Sequence, residues 1–183
     1  RDPRRGAPDW EVSEEFPKDV FTFARVRYSS WGDHYRGGKW ATDYPDSDLN
    51  FSFRVQELTA LEVDPDGVIV ELTDENLRDY PFLYMIEPGD MVLEKNEVTA
   101  LRHYLLAGGF MMVDDFWGED EYENFREQIT RVFPERQPQE VPIDHEIFHC
   151  VYDINEKPQI PSIHTFWGGH RTERWDAEHA NYL

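Results

Sequence analysis

Short hydrophobic runs alternate with helix-like segments along most of this chain. Four of the runs are rich in β-branched and aromatic residues, which is typical of strands. These predicted strands cover residues 21–28, 67–72, 80–86 and 110–113. Apolar residues spaced three or four apart predict a helix that starts near Asp46, one over 94–107 and one that Pro134 terminates.

Strands that alternate with helices favour a parallel sheet covered by helices on both faces. The predicted fold class is therefore α/β, a three-layer α/β/α sandwich around a mainly parallel sheet. A length of 183 residues suits one domain. We assign it to residues 20–183, after a polar N-terminal arm or linker over 1–19. Beyond Pro134 the pattern weakens, and residues 147–154 are expected to form one more strand.

The charge of the chain limits its partners. Lys and Arg total 18 against 38 Asp and Glu, a net charge of −20. Such a field repels nucleic-acid backbones and anionic lipid, so no nucleic-acid partner is expected. A protein partner or a small polar ligand remains open. No apolar run approaches the roughly 20 residues that span a bilayer, and no signal segment is evident.

Candidate functional residues follow the predicted strands. In open parallel sheets, ligands bind beyond the carboxyl ends of the strands. The candidate ligand-binding residues there are Tyr28, Trp31, Glu87, Asp90 and Trp117. One carboxylate of the Asp114-Asp115 pair could act as a general base or bind a hard cation with Glu87 or Asp90. Equally, the pair could cap the next helix.

Asp43 and His149 complete the candidate catalytic set. Asp43 could orient a ligand near the first strand, or it could simply organise the turn into the helix. His149 could supply an acid. His145 lies four residues before it, a spacing that brings two imidazoles to one metal on a helix but separates them by about 13 Å on a strand. Since the local residues favour a strand, we predict no metal site.

Two other kinds of chemistry are not expected. The single cysteine, Cys150, lies in an apolar run and is predicted to be buried, and on a strand it would face away from His149. It is therefore a poor candidate nucleophile. Neither GxGxxG nor GxxxxGK[ST] occurs in the sequence, so no cofactor is predicted.

The chain resembles the bacterial domain of unknown function 4159 over residues 21–155. The resemblance is carried by residues 23–28, 40–45, 79–85, 101–110 with 114–115, and 132–134 leading to 144–149. This family looks like a branch of the class I glutamine amidotransferase-like superfamily, and its central part is similar to trehalose-utilisation-type proteins. The resemblance implies a flavodoxin-like fold and a bacterial protein of the cell envelope or periplasm.

The resemblance to amidotransferases does not include their catalytic nucleophile. Amidotransferases carry a nucleophilic cysteine on the turn that corresponds to residues 113–117, and this chain has none there. Glutamine hydrolysis is therefore not expected. Two hypotheses follow: a non-catalytic binding or scaffolding domain, or a hydrolase or carbohydrate-active enzyme. The enzyme would use Asp43, Asp114 and Asp115 with His149.

Overall fold

The computed structural model describes residues 4–15, 19–31, 38–115, 117–156, 161 and 163–169. The strands are β1 (Ala24–Val26), β2 (Ser29–Ser30), β3 (Val68–Val70), β4 (Phe82–Ile86), β5 (Met91–Val92) and β6 (Phe110–Asp114). The helices are α1 (Asp46–Leu58), α2 (Lys95–Leu106), α3 (Gly118–Val132) and α4 (Ile163–Trp167). Short 3₁₀ helices cover Lys39–Ala41, Leu77–Asp79, Pro88–Asp90 and Glu146–Phe148.

The main sheet has four strands in the order β3-β1-β4-β6. Every neighbouring pair in it is parallel, as the alternation of strands and helices predicted. From β1 the chain passes through α1 to β3 on one side, and β4 then pairs with the other side of β1. The direction of winding therefore reverses between β1 and β4. A second, antiparallel pair of β2 and β5 lies beyond the main strands.

Alternating side chains of the sheet pack against different helices. In β4, Leu83 and Met85 join the core cluster that contains Leu101 of α2 and Val132 of α3. The intervening Tyr84 and Ile86 join the opposite cluster, against which Phe51 of α1 packs. The α/β class with a helical layer on each face is thereby confirmed.

Helix boundaries follow the local sequence signals. Glu94 and Glu97 form a reciprocal capping box at the start of α2. Gly108, with a φ of 99°, ends the same helix, because this left-handed backbone is accessible to glycine. The first turn of α3 carries Glu119, Asp120 and Glu121, which interact favourably with the positive end of the helix dipole.

Part of the predicted N-terminal arm contacts the domain. The Trp10 indole nitrogen donates to the Val63 carbonyl at 2.7 Å, and its ring centroid lies 6.3 Å from that of Phe53. Arg4 forms an ion pair with Asp66. Val63 and Asp66 lie just before β3, at the amino end of the sheet. The division of the chain at residue 19 stays a prediction.

The expectation of a strand over residues 147–154 was wrong. Glu146–Phe148 is a 3₁₀ helix followed by turns. His145 Nδ1 accepts the Ile147 amide at 3.2 Å, so a side chain occupies a backbone group that a strand would need. The expected burial of Cys150 depended on that strand and was also wrong. Its thiol is exposed and donates to the Ile147 carbonyl at 3.5 Å.

In the ranges that the structure describes, no helix is long and apolar enough to cross a membrane.

Candidate functional site

The carboxyl ends of β1, β4 and β6 are tied together by hydrogen bonds. The Tyr28 hydroxyl lies 2.7 Å from the carbonyl oxygens of both Ile86 and Glu87. The Glu87 amide donates to the Asp114 carbonyl at 2.8 Å. Tyr28 is only 3% exposed, so a buried side chain connects the end of β1 to the end of β4. We call the polar residues around these strand ends the rim. They are Lys39, Thr42, Asp43, Glu87, Asp90, Asp114 and Asp115.

Glu87 lies at the centre of the rim. It directly follows β4, is half-buried, and accepts a hydrogen bond from Thr42 Oγ1 at 3.2 Å. Burial raises the pKa of its carboxyl group, although the Thr42 hydrogen bond and the charge of Lys39 partly oppose this. The nearby carboxylates of Glu121 and Asp43 add to the increase. Glu87 therefore holds a proton to a higher pH than an ordinary glutamate does.

Lys39 links three separate elements. Its Nζ lies 3.0 Å from Asp90 Oδ2 and 2.9 Å from Glu121 Oε1. Burial lowers its pKa, but the hydrogen bonds and charges of Glu121 and Asp90 together outweigh this effect and raise the pKa. The other Glu121 oxygen accepts the Trp117 amide at 2.8 Å. The loop after β1 is thus fastened to the turn after β4 and to the start of α3.

Asp114 is hydrogen-bonded to a tyrosine of the neighbouring strand β4. Asp114 is exposed, and its Oδ2 accepts a hydrogen bond from the Tyr84 hydroxyl at 3.0 Å. Burial, followed by the charge of Asp114, raises the pKa of Tyr84, and the charge of Asp115 contributes. Tyr84 therefore remains a protonated donor to Asp114.

Three rim acids have an uncommon backbone conformation. The φ angles of Asp43, Glu87 and Asp115 are 56°, 46° and 63°. Left-handed backbone is uncommon outside glycine, and residues held in it cluster at ligand and active sites. All three were candidates in the sequence, yet their shared conformation could not be predicted from it.

Sequence reasoning missed the group that supports the rim from below. Arg25 of β1 is fully buried, and its Nε donates to Asp48 Oδ1 at 3.0 Å. Its NH1 donates to the carbonyls of Trp40 at 2.8 Å and Thr42 at 3.1 Å. Its NH2 donates to Ser47 Oγ and Asp48. All five N–H groups of the guanidinium therefore have acceptors, and the segment over 40–48, which includes the first residues of α1, is fixed to β1.

The two tryptophan candidates differ in accessibility. Trp31 is 71% exposed, and its amide donates to the Asp90 carbonyl at 3.0 Å. Trp117 is half-buried, immediately before α3. Trp31 therefore offers an accessible ring next to the rim.

The hydrogen-bond partners of His149 lie in its own segment. Its Nδ1 lies 2.5 Å from Asp153 Oδ1, and its Nε2 lies 2.9 Å from the Ile143 carbonyl. The hydrogen bond with Asp153, followed by that with Ile143, raises the pKa of His149. Both ring nitrogens are thus occupied by partners within its own segment.

The described residues include a surface depression but no cluster of metal ligands. No group of three or more His, Cys, Asp or Glu side chains there is arranged to hold a metal ion. An open depression of about 640 Å³ lies along α2, and none of its lining residues belongs to the rim. It is lined by Glu94, Lys95, Asn96, Thr99, Ala100 and His103.

Comparison with known proteins gives a family and no activity. No curated protein matches the chain. The sequence model of one family, described as Domain of unknown function (DUF4159), matches residues 22–182. This range includes the main sheet and every residue of the rim, and it confirms the family suggested by the sequence segments. The chain therefore belongs to the DUF4159 family.

Proposed function

We propose that this domain is a non-catalytic binding domain that takes a small polar ligand at the rim. The observation that carries the proposal is the position of Glu87 at the end of β4, beside the point where the winding of the sheet reverses. Crevices outside strand ends at such reversals are the usual ligand position in open α/β sheets. Glu87 is half-buried there and has an uncommon backbone conformation.

The groups at the rim favour a ligand with several hydroxyl groups. The carboxylates of Asp43, Glu87 and Asp115 accept hydrogen bonds, and a protonated Glu87 can donate one. Trp31 supplies an exposed ring on which a flat apolar face can stack. A sugar-like molecule presents both features.

The same contacts argue against catalysis by the residues proposed for it. Asp43, Asp114, Asp115 and His149 could act together only if they lay within hydrogen-bonding reach of one another or of one substrate atom. The Asp114 carboxylate accepts from Tyr84, while His149 bonds to Asp153 and Ile143. The exposed Cys150 donates to a backbone carbonyl and lies outside the turn at 113–117 that carries the nucleophile in amidotransferases.

Thermal unfolding with a panel of neutral sugars, sugar acids and polyols tests the binding proposal. A ligand at a hundredfold excess over its Kd stabilises the folded state by about 2.7 kcal/mol. For a domain of this size that raises the Tm by about 5–10 °C. The increase should be lost in Glu87→Gln and retained in Glu57→Gln, a matched change on the surface of α1. An equal increase in both variants would contradict the proposal.

One contact favours the alternative of a hydrolase. Thr42 and Glu87 form a hydroxyl–carboxylate pair at 3.2 Å, and such a pair can activate a hydroxyl or a water molecule. Ester and glycoside substrates should then be turned over, and Thr42→Val and Glu87→Gln should each lower kcat by about a hundredfold or more. A panel with no turnover by the unmodified protein would remove this alternative.

The wider relationships also remain proposals. The strand order β3-β1-β4-β6 matches the beginning of the flavodoxin-like order, which supports a link to the amidotransferase-like superfamily. The bacterial cell envelope or periplasm is proposed from the family resemblance alone. Fractionation of a bacterium that encodes a family member, with an antibody against this domain, tests the location, and recovery in the cytoplasm would contradict it.

A further inference from the structure

Within the described ranges, the backbone groups on the outer side of β6 have no hydrogen-bond partner. The Phe110 amide donates to the Pro81 carbonyl at 2.9 Å, and the Asp114 carbonyl accepts the Glu87 amide at 2.8 Å. Alternate residues of β6 therefore direct their backbone groups towards β4. Met111 and Val113 direct theirs outwards. In the described part of the chain, β6 has β4 as its one strand neighbour.

This edge is also apolar, and the residues of β6 themselves do not block it. The strand reads Phe-Met-Met-Val-Asp, and Phe110 at its start is 53% exposed. Met111, Met112 and Val113 are each half-buried. Natural sheets block such edges with lysine, proline or a bulge, and β6 has neither of those residues. Its outer side is therefore a template for one more strand.

The opposite edge of the sheet is a poorer template. The strand there, β3, has three residues. The Val68 amide donates to Phe23, and the Val70 carbonyl accepts from Arg27, so only Ile69 directs its backbone groups outwards. Because β6 offers two such residues, it can form about twice as many hydrogen bonds with an added strand.

The negative charge of the chain favours a basic segment of a partner protein over a second copy of the chain at the edge of β6. The strand ends at Asp114, and the first turn of α3 adds the exposed Glu119 and Asp120. A second copy would bring together two chains of net charge −20. A basic segment would instead be attracted.

We propose that the outer edge of β6 binds an extended segment of a partner protein that has apolar residues at alternate positions and Lys or Arg at its ends. Backbone pairing with Met111 and Val113 supplies affinity, and the acids beyond the strand select the basic ends. This surface lies on the side of β6 remote from β4. The proposal therefore stands whether or not the rim binds a ligand.

Binding of designed peptides tests the proposal. The probe is a peptide of about nine residues, a common strand length, that alternates valine and threonine between lysine ends. One control carries N-methyl groups on alternate amides, and another has glutamate in place of lysine. Each change should weaken binding about tenfold or more, because it removes either the backbone hydrogen bonds or the charge attraction. Amide hydrogen exchange at Met111 and Val113 should slow when the lysine peptide binds.

A pair of proline variants locates the surface. Val113→Pro removes an outward amide and spares the hydrogen bonds to β4, and Ile69→Pro does the same on the opposite edge. The first should weaken binding about tenfold, while the second leaves it unchanged. If Val113→Pro does not fold, the N-methylated peptide carries the test on the unmodified protein. Equal binding of that peptide, or a dimer of this chain paired through β6, would overturn the proposal.

Discussion

At the scale of single residues, a buried ion pair determines where the functional groups lie. Arg25 and Asp48 are 0% and 1% exposed, and the guanidinium also holds two carbonyls of the loop over 40–48. Burying two charges is costly, so the pair persists only because all of its hydrogen bonds are made. The sequence shows an arginine in a predicted strand, but nothing in it indicates that this side chain points inwards.

Removal of one partner of this pair should destabilise the domain strongly. We expect Asp48→Asn to lower the free energy of unfolding by about 3–5 kcal/mol, because it leaves a buried guanidinium without its counter-charge. Urea unfolding followed by circular dichroism measures the change. Glu71→Gln, in the half-exposed Arg27–Glu71 pair, is the control and should cost less than about 1 kcal/mol. Equal losses in the two variants would show that the pair is unimportant.

Because the pKa of Glu87 is raised, the free energy of unfolding should depend on pH. The folded state holds the Glu87 proton to a higher pH than the unfolded state does. The corresponding stability is present at low pH and is lost as the pH rises from the ordinary value of 4.5 through the raised pKa. Glu87→Gln does not titrate, so its free energy of unfolding relative to the unmodified protein should increase over this pH window. Urea unfolding at several pH values measures the difference, and a constant difference would contradict the account.

At the scale of elements, a close approach joins the turn after β4 to α3. A Cβ atom at Gly89 would overlap the side chain of Glu121, which leaves no room for a larger residue. This approach lets Glu121 reach Lys39 at 2.9 Å and so completes the link between the three elements.

Substitution at Gly89 should therefore weaken the ion pair between Glu121 and Lys39. We expect Gly89→Ala to lower the free energy of unfolding by about 1–3 kcal/mol, because the new methyl group displaces Glu121. Lys39→Met removes the partner of the same carboxylate. Measured together by urea unfolding, the two changes should be non-additive by about 0.5 kcal/mol or more. Strict additivity would mean that Glu121 does not connect them.

The segment after α3 shows where sequence patterns are insufficient. Its apolar residues predicted a strand, but the bonds of His145 and His149 to local partners hold it in turns. Hydrophobic periodicity reports which residues favour burial, and it does not report competition from side chains for the backbone. The strands of the main sheet were predictable because each contains a short run of β-branched or aromatic residues, and in β4 the run is apolar throughout since both of its faces are covered.

This local structure can be tested by the titration of His149. Its hydrogen bond with Asp153 raises its pKa above the ordinary value of 6.5. The NMR titration midpoint of the imidazole should therefore lie above 6.5 and return towards it in Asp153→Asn. Asp144→Asn, a change in the same segment, should have a smaller effect. An unshifted midpoint in the unmodified protein would contradict the turn structure.

At the scale of the whole molecule, parallel strands bring distant parts of the chain to one rim. The direction of the strands could be predicted from the alternation of elements, and with it the convergence of residues near 28, 87 and 114. The crosslinks could not be predicted, since Lys39 is far in sequence from Asp90 and Glu121. The local partners of His149 could not be predicted either, because no pattern fixes the structure of an irregular segment, and its place in the candidate set stays a prediction.

The central claim is that the rim is the ligand site of the domain. The most direct measurement maps amide chemical shifts of the ¹⁵N-labelled protein during titration with the sugar-like ligand that most raises its Tm. The largest changes in amide chemical shift should occur at Thr42, Glu87 and Asp115, and Glu87→Gln should abolish them. Changes concentrated along α2, around Thr99 and His103, with the rim unaffected, would contradict it.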